Sequence, residues 1–225
     1  MTMNDAAGTR ARILGRLTAA PRRSLPAEPP PGTPVWAPPR HGAARFTRFR
    51  AMLEAARAEV HEVTVDDWPQ TLRSLLIGKG VSRLLYAPDT AIGRRLAALP
   101  GAAEPPTLIP YDRPVEELKP VLVNGVDAAL TTARCGIADT GSLVLWPTPE
   151  EPRLMSLLPP LHAVLIEETA LTDSLSDTIA AQGWAGAMPA NLLMVSGPSK
   201  TADIEQTLAY GVHGPRELIV LVIRS

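Results

Sequence analysis

Residues 191–225 constrain the fold of this chain more than any other stretch. Residues 191–196 form a short apolar run typical of a buried strand, and the glycine- and proline-containing residues 197–201 end it. Residues 202–210 then carry apolar side chains at helical spacing, with a glycine directly after them. Residues 217–223 close the chain as a second apolar strand. Strand, turn, helix and strand predict a βαβ unit, and therefore an α/β fold with a parallel-rich central sheet covered by helices.

The turn at residues 197–201 is predicted to bind an anion. The first backbone N–H groups of a helix have no partners within the helix and carry a partial positive charge, so they attract phosphate or carboxylate. Gly197 lets a ligand approach the backbone, and Lys200 adds a mobile cation. Ser199 and Thr201 either bind a ligand oxygen or merely cap the helix, which is the usual role of these residue types at such positions.

Cationic and imidazole side chains follow in the loop at residues 211–216, which combines two glycines and a proline with His213 and Arg216. A connecting turn rarely needs a histidine and an arginine together, which favours a binding function. We therefore predict that His213, Gly214 and Arg216 contact the ligand. Arg153 is a further candidate, because a guanidinium can bind a carboxylate or phosphate through two parallel hydrogen bonds.

A second candidate turn, at residues 137–142, lies between two short apolar strands. Aspartate and threonine before a glycine are ordinary turn residues, so a purely structural role is the alternative. The functional interpretation places Asp139, Thr140 and Ser142 in a pocket at the carboxyl ends of the strands, where open α/β sheets bind ligands. Gly141 belongs to the same predicted site. This interpretation requires that the turns near residues 140 and 200 converge on one pocket for a negatively charged molecule.

Two motifs resemble the signatures of the LutC/YkgG lactate-utilisation proteins, the LUD domain family. Residues 197–205, together with residues 211–216, are similar to the C-terminal signature of that family, and residues 136–145 to its second signature. Further residues follow where the family tends to carry them: Arg153, Ser156, Leu158, Pro159 and His162. Asp139 stands where many members carry glutamate, and Ser142 where many carry threonine, so both functional groups are kept.

The resemblance, which extends over residues 110–223, implies a fold similar to the phosphosugar isomerase and coenzyme A transferase superfamily (NagB/RpiA/CoA-transferase-like). It implies a component of an L-lactate utilisation system that supports oxidation of L-lactate to pyruvate together with iron–sulfur partner subunits. The iron–sulfur clusters would belong to those partners, so no cofactor is expected in this chain. Its own role would be to bind a small anionic ligand.

Two other functions stay open at this point. One is a stand-alone isomerase, transferase or hydrolase acting on a phosphorylated or coenzyme A-linked small molecule, with Asp139, Glu205 or His213 as acid–base groups. The other is a non-catalytic assembly module whose loops only hold its fold. Whether the chain is itself an enzyme is therefore undecided from its sequence.

Composition excludes several classes of partner. The chain has 225 residues, of which 45% are hydrophobic and 20% charged, and its net charge of −1 gives no reason to expect a nucleic acid partner. Cys135 is its single cysteine, and no cysteine or histidine spacing typical of a metal site is present, so we expect no metal in this chain. Apolar runs are far shorter than the ~20 residues that span a bilayer, and no secretory signal is evident. We therefore expect a cytoplasmic protein without a membrane span.

The N-terminal region differs in character from the rest. Residues 1–42 are predicted to form an amphipathic helix and a proline-rich arm, and residues 43–225 the α/β domain, which begins with a helix at residues 44–62. The N-terminal helix either packs on its own domain or forms a dimer contact, so homo-oligomerisation is left open. Trp36 suggests that the arm docks on a surface.

Overall fold

The structure is a computed structural model that describes residues 3–19, 37–100, 105–202 and 208–224. The helices of this part of the chain are α1 (Met3–Ala19), α2 (Arg45–Ala55), α3 (Trp68–Gly78), α4 (Ala91–Ala97), α5 (Val115–Asn124), α6 (Leu154–Leu157), α7 (Leu175–Ala181) and α8 (Trp184–Ala187). The strands are β1 (Glu59–Val63), β2 (Arg83–Tyr86), β3 (Thr107–Pro110), β4 (Ala128–Thr132), β5 (Cys135–Ile137), β6 (Ser142–Leu145), β7 (Leu161–Glu167), β8 (Leu171–Thr172), β9 (Leu193–Val195), β10 (Lys200–Ala202), β11 (Leu208–Tyr210) and β12 (Glu217–Ile223). Short 3-10 turns span Gly42–Ala44 and Glu168–Ala170.

The centre of the fold is a six-stranded sheet in the order β1-β12-β7-β4-β2-β3. Every pairing in this sheet is parallel. Strands β7 and β12 lie in its interior, and both are apolar along most of their length because neighbouring layers cover both faces. The prediction of an α/β fold with a parallel-rich central sheet is confirmed.

Alternate residues of β12 divide between two hydrophobic layers, as the period of two in a strand requires. Ile219 and Leu221 pack with helix α3, whose Trp68, Leu72 and Leu76 are buried. Val220 and Val222 pack on the other face with buried residues of α2. Burying each such large apolar side chain stabilises the fold by about 1.5–3 kcal/mol, so the two layers hold the sheet between them.

A second sheet, of four strands in the order β8-β5-β6-β9, lies beside the central one. Strand β6 runs antiparallel to both of its neighbours, β5 and β9, whereas β5 and β8 are parallel. The turn between β5 and β6 is the one predicted at residues 137–142. The predicted strand at residues 191–196 is present as β9, but it belongs to this second sheet rather than to the central one.

The helix predicted over residues 202–210 is wrong at both of its ends. Residue 202 ends strand β10 and residues 208–210 form β11, and the two strands pair antiparallel with Thr201 opposite Ala209. Residues 203–207 lie outside the described part of the chain. The predicted βαβ unit is therefore absent, and Lys200 begins a strand instead of preceding a helix. Three consecutive apolar and aromatic residues at 208–210 satisfy a strand as well as a helix, and pairing with β10 decides between them.

The helix predicted at residues 44–62 is too long. Helix α2 ends at Ala55, Arg57 adopts a left-handed backbone conformation with φ 69°, and β1 follows as the edge strand beside β12. Val60 and Val63 point into the core while their neighbours are more exposed. This spacing continues the apolar pattern of the helix, so helical periodicity conceals the strand.

The chain divides into two units, residues 1–37 and 38–225. Helix α1 belongs to the first unit and matches the predicted N-terminal helix, and Ile13, Leu14 and Leu17 are exposed on it. Trp36 and residues 20–35 of the predicted arm lie outside the described residues, and the boundary at residue 42 stays a prediction. Within the described part of the chain, the helices are too short or too polar to cross a membrane.

Candidate functional site

The parallel sheet has two distinct edges, because all six strands start on one side and end on the other. The loops that precede β7 and β12 meet at what we call the amino edge, and the loops that follow β4, β7 and β12 meet at the carboxyl edge. Each edge has a cavity. The predicted site residues divide unequally between these two places and the rest of the surface.

The amino-edge cavity, of about 190 Å³, contains four of the predicted ligand-binding residues: Gly197, Ser199, His213 and Gly214. The rest of its lining is Ser156, Leu157, His162, Met194, Val195, Ser196, Pro198, Pro215 and Leu218. Its polar groups are therefore hydroxyls and imidazoles, set among apolar side chains.

Backbone hydrogen bonds bring the loops at 197–201 and 211–216 together, as predicted. The N–H of Ser199 donates to the carbonyl of Pro215 (2.8 Å), and the N–H of Gly211 donates to the carbonyl of Ser199 (2.9 Å). Gly214 packs so closely that a Cβ there would lie 3.0 Å from the Cβ of Ser199. The two loops thus form one surface without the helix that the sequence suggested.

His162 forms the deep wall of the amino-edge cavity. It is 1% exposed, and its Nε2 lies 2.8 Å from the hydroxyl of Thr131. Burial lowers the pKa of His162 to about 3, so the imidazole is neutral and supplies a dipole rather than a charge. Ser156, which is 5% exposed, faces the same cavity, and its hydroxyl makes no hydrogen bond within the described residues. Sequence reasoning did not select Ser156 or His162 as ligands.

The turn near residue 140 joins the turn near residue 197 through a chain of hydroxyls. Thr140 Oγ1 and Ser142 Oγ are 2.7 Å apart, and Ser142 Oγ and Ser196 Oγ are also 2.7 Å apart. The turn itself is fixed by Gly141, which has φ 61° and packs against helix α2 so that a Cβ would lie 2.6 Å from Met52 Cβ. The two turns are therefore neighbours, although Thr140, Gly141 and Ser142 lie behind the cavity wall rather than in the lining.

Asp139 faces basic side chains from the start of the compact unit. Arg48 Nη2 donates to its backbone carbonyl (3.2 Å) and lies 3.9 Å from its carboxylate, and His41 Nε2 lies at the same distance from that carboxylate. Its N–H donates to the carbonyl of Asp173 (3.0 Å). Asp139 does not line the cavity that contains His213, and Glu205 lies outside the described residues. Asp139 and His213 are thus not in the same cavity.

The remaining predicted ligands lie on the surface around the amino edge. Arg153, Lys200 and Arg216 are exposed, Thr201 is half-buried in β10, and none of the four lines the cavity. The backbone N–H of Arg216 donates to the carbonyl of Pro160 (2.7 Å), which ties its loop to the start of β7. Lys200 and Arg216 make no ion pair with a described residue, so neither positive charge at this edge has a described carboxylate partner.

The carboxyl edge has a larger cavity, of about 380 Å³, that sequence reasoning missed. Its lining is mostly apolar, with two arginines and one glutamate: Val65, Trp68, Ala91, Ile92, Arg95, Thr132, Ala133, Arg134, Leu165, Ile166, Glu167, Ala170 and Ile223. Residues 132–134 and 165–167 come from the ends of the neighbouring strands β4 and β7. Their position directly after two apolar strands was the available signal, since open α/β sheets bind ligands at this edge.

Two features of the described structure concern metal ligands and the single thiol. Within it, no group of three or more histidine, cysteine, aspartate and glutamate side chains is arranged to hold a metal ion. Cys135 is buried in the second sheet, and burial raises the pKa of its thiol to about 11. At neutral pH the thiol is therefore protonated and a poor nucleophile.

Comparison with known proteins matches residues 46–223 to the LUD domain. Uncharacterized protein NMB1437 of Neisseria meningitidis is 37% identical over 80% of this chain and 77% of its own length. Lactate utilization protein C of an Exiguobacterium species is 28% identical over 80% of this chain and 76% of its own length. The crystal structure of a DUF162 family protein from Deinococcus radiodurans has the same fold, with a TM-score of 0.58 and 21% identity over 82% of this chain and 99% of that one.

Proposed function

This chain belongs to the LUD domain family, and from that membership we propose that it is a component of an L-lactate utilisation system that binds a small anion at its amino edge. The proposal of lactate rests on relatives named lactate utilization protein C, one of which matches four-fifths of the chain. In this proposal the chain supports oxidation of L-lactate to pyruvate, while iron–sulfur partner subunits transfer the electrons.

One observation carries the anion part of the proposal: the amino-edge cavity lies among cations that have no described acidic partner. Ser199 and His213 offer donors within the cavity, and Lys200 and Arg216 add positive charge nearby. Charge-assisted hydrogen bonds from such groups to a carboxylate or phosphate are the strong ones. The cavity volume of about 190 Å³ suits a small carboxylate such as L-lactate or pyruvate.

The lactate role is tested by deleting the gene and measuring growth on L-lactate as the sole carbon source. We expect growth to stop and to return when the gene is restored, while growth on glucose is unchanged. Unimpaired growth of the deletion strain, in the absence of a second lactate-oxidising route, would remove the lactate proposal. Co-purification with iron–sulfur proteins from lactate-grown cells tests the partner proposal separately.

The anion site is tested by calorimetric titration with L-lactate, pyruvate and inorganic phosphate. Ser199→Ala and His213→Ala should each weaken binding about 3–10-fold, because each removes one hydrogen bond worth about 0.5–1.5 kcal/mol. Arg113→Gln is the matched control, since Arg113 is an exposed arginine paired with Asp112 and does not line the cavity. Equal affinities for all four proteins would place the anion elsewhere.

A further inference from the structure

Two opposite charges at the carboxyl edge lie in one cavity without forming an ion pair with each other. Glu167 is the last residue of β7, and Arg134 comes two residues after the end of β4. Thr132 lies opposite Leu165 in the β4–β7 register, so Arg134 and Glu167 leave adjacent strands at the same level. The N–H of Ala133 still donates to the carbonyl of Leu165 (2.9 Å), and then the chain turns away into the second sheet.

Among the residues that the structure describes, Arg134 has neutral partners only. Its Nε donates to the side-chain carbonyl of Gln182 (2.8 Å), and its guanidinium carbon lies 5.4 Å from the centre of the Trp146 ring. Both contacts hold the guanidinium in place and leave its charge uncompensated by any described carboxylate. Arg95 differs, because it already pairs with Asp66 at 2.8 Å.

Glu167 likewise has no oppositely charged partner among the described residues. Its carboxylate accepts one long hydrogen bond, from Thr169 Oγ1 at 3.4 Å, and makes no ion pair with a described residue. Another carboxylate close to this edge, Glu151, already has partners, since it accepts from the N–H (2.9 Å) and the hydroxyl (2.7 Å) of Thr132.

Most of the remaining lining of the cavity is apolar. Trp68, which is 2% exposed, Ile92, Leu165 and Ile223 line it, and its volume of about 380 Å³ is that of a pocket for a whole small molecule. A ligand that fills it therefore needs an apolar body as well as charged groups, and L-lactate has too little apolar surface to do so.

We propose that the carboxyl-edge cavity is a second ligand site, separate from the amino-edge site, that takes a zwitterion with an apolar body, of the class of the hydrophobic α-amino acids. The carboxylate of the ligand pairs with Arg134, its ammonium group pairs with Glu167, and its side chain packs on the apolar wall. A ligand of this kind compensates both charges at once, whereas a simple anion leaves Glu167 unpaired.

The test uses purified full-length protein and calorimetric titration with three probes of equal ring size. L-phenylalanine carries both charges, 3-phenylpropionate only the carboxylate, and phenethylamine only the ammonium group. We expect L-phenylalanine to bind at least tenfold more tightly than either analogue. Equal or tighter binding of 3-phenylpropionate would overturn the proposal, as would the absence of saturable binding of L-phenylalanine.

Two substitutions assign the charges. Arg134→Gln should weaken the binding of L-phenylalanine and of 3-phenylpropionate about tenfold and leave the binding of phenethylamine unchanged. Glu167→Gln should weaken the binding of L-phenylalanine and of phenethylamine by a similar factor. The affinity for 3-phenylpropionate should stay unchanged or increase. Arg113→Gln and Glu116→Gln are matched controls, because both positions are exposed and neither lines the cavity. Identical binding by all variants would contradict the assignment, and circular dichroism verifies that each variant is folded.

Discussion

The cavities at the two edges of the central sheet are formed by different kinds of structural element. At the amino edge, the walls are loops held by backbone hydrogen bonds and by glycines that pack against neighbouring chain, and the deepest polar group is a neutral, buried histidine. At the carboxyl edge, much of the wall consists of residues at the ends of β4, β7 and β12, and helices α3 and α4 supply part of the rest. The comparison indicates that the amino edge depends on the precise path of its loops, whereas the carboxyl edge depends on the sheet.

The largest effect should come from Gly141, which fixes the turn behind the amino-edge cavity. Gly141→Val places a β-branched residue at φ 61° and drives its Cβ into the Cβ of Met52 and the backbone N of Leu53. We expect a loss of about 3–5 kcal/mol in the free energy of unfolding, the sum of backbone strain and overpacking. Urea denaturation measures it.

Gly80→Val is the matched control for Gly141→Val. Gly80 has a similar φ, 72°, but a Cβ there would meet no atom within 4 Å. Its cost should be backbone strain alone, about 1–2 kcal/mol. Equal losses at the two positions would show that close packing does not fix the turn.

The buried imidazole at the amino edge should give the protein a distinctive pH dependence. The unfolded chain protonates His162 near its ordinary pKa of 6.5, whereas the folded protein resists protonation until about pH 3. The unfolded state thus binds more protons in this window, and the free energy of unfolding should fall by about 2 kcal/mol from this group between pH 7 and pH 5. His162→Gln should remove that part of the slope in parallel urea titrations. An unchanged slope would mean that His162 is not buried as a neutral group.

A smaller effect is expected at Thr132, whose hydroxyl donates to Glu151 at the carboxyl edge. Thr132→Val removes the hydrogen bond from Oγ1 to Glu151 but keeps the bond from the backbone N–H, so stability should fall by about 1–2 kcal/mol. Thr169→Val is the control, because the one hydrogen bond of its hydroxyl to a described residue, exposed Glu167, is 3.4 Å long. Its loss should stay below about 0.5 kcal/mol. Thermal melts at neutral pH distinguish the two.

The smallest effect is the sharpest test of two separate sites. The affinity for inorganic phosphate at saturating L-phenylalanine should stay within about twofold of its value without L-phenylalanine, because the two cavities share no lining residue. Calorimetric titration of phosphate with and without L-phenylalanine measures this. Direct competition between the two ligands would place both of them in one cavity and contradict the proposal of two separate sites.

Much of the fold follows from local sequence patterns, and the wrong predictions of secondary structure have a common cause. The apolar runs at β7 and β12 could be assigned with ease because strands buried on both faces are apolar along most of their length. Residues 59–62 and 208–210 are predicted to be helical because short apolar segments fit both periodicities. Their strand conformation comes from pairing partners that are distant in sequence, β12 for the first, or that lie across residues 203–207 for the second.

The lining of the amino-edge cavity was predictable only where short loops contain it. The sequence identified Gly197, Ser199, His213 and Gly214, because unusual residue types are concentrated in two short loops. It did not identify the carboxyl-edge cavity, whose charged residues come from three separate segments. Arg95, Arg134 and Glu167 are unremarkable in their own neighbourhoods and become a site only when parallel strands align their ends.

The sequence alone determined the class of fold, the family and the two loops that form the amino edge, since these depend on local composition and short motifs. Tertiary structure alone decided that the turn near residue 140 lies behind the cavity wall, that Asp139 faces Arg48 and His41, and that Arg134 and Glu167 share a cavity. The physical reason is that backbone pairing fixes which strand ends become neighbours, and no local pattern records the identity of a distant partner.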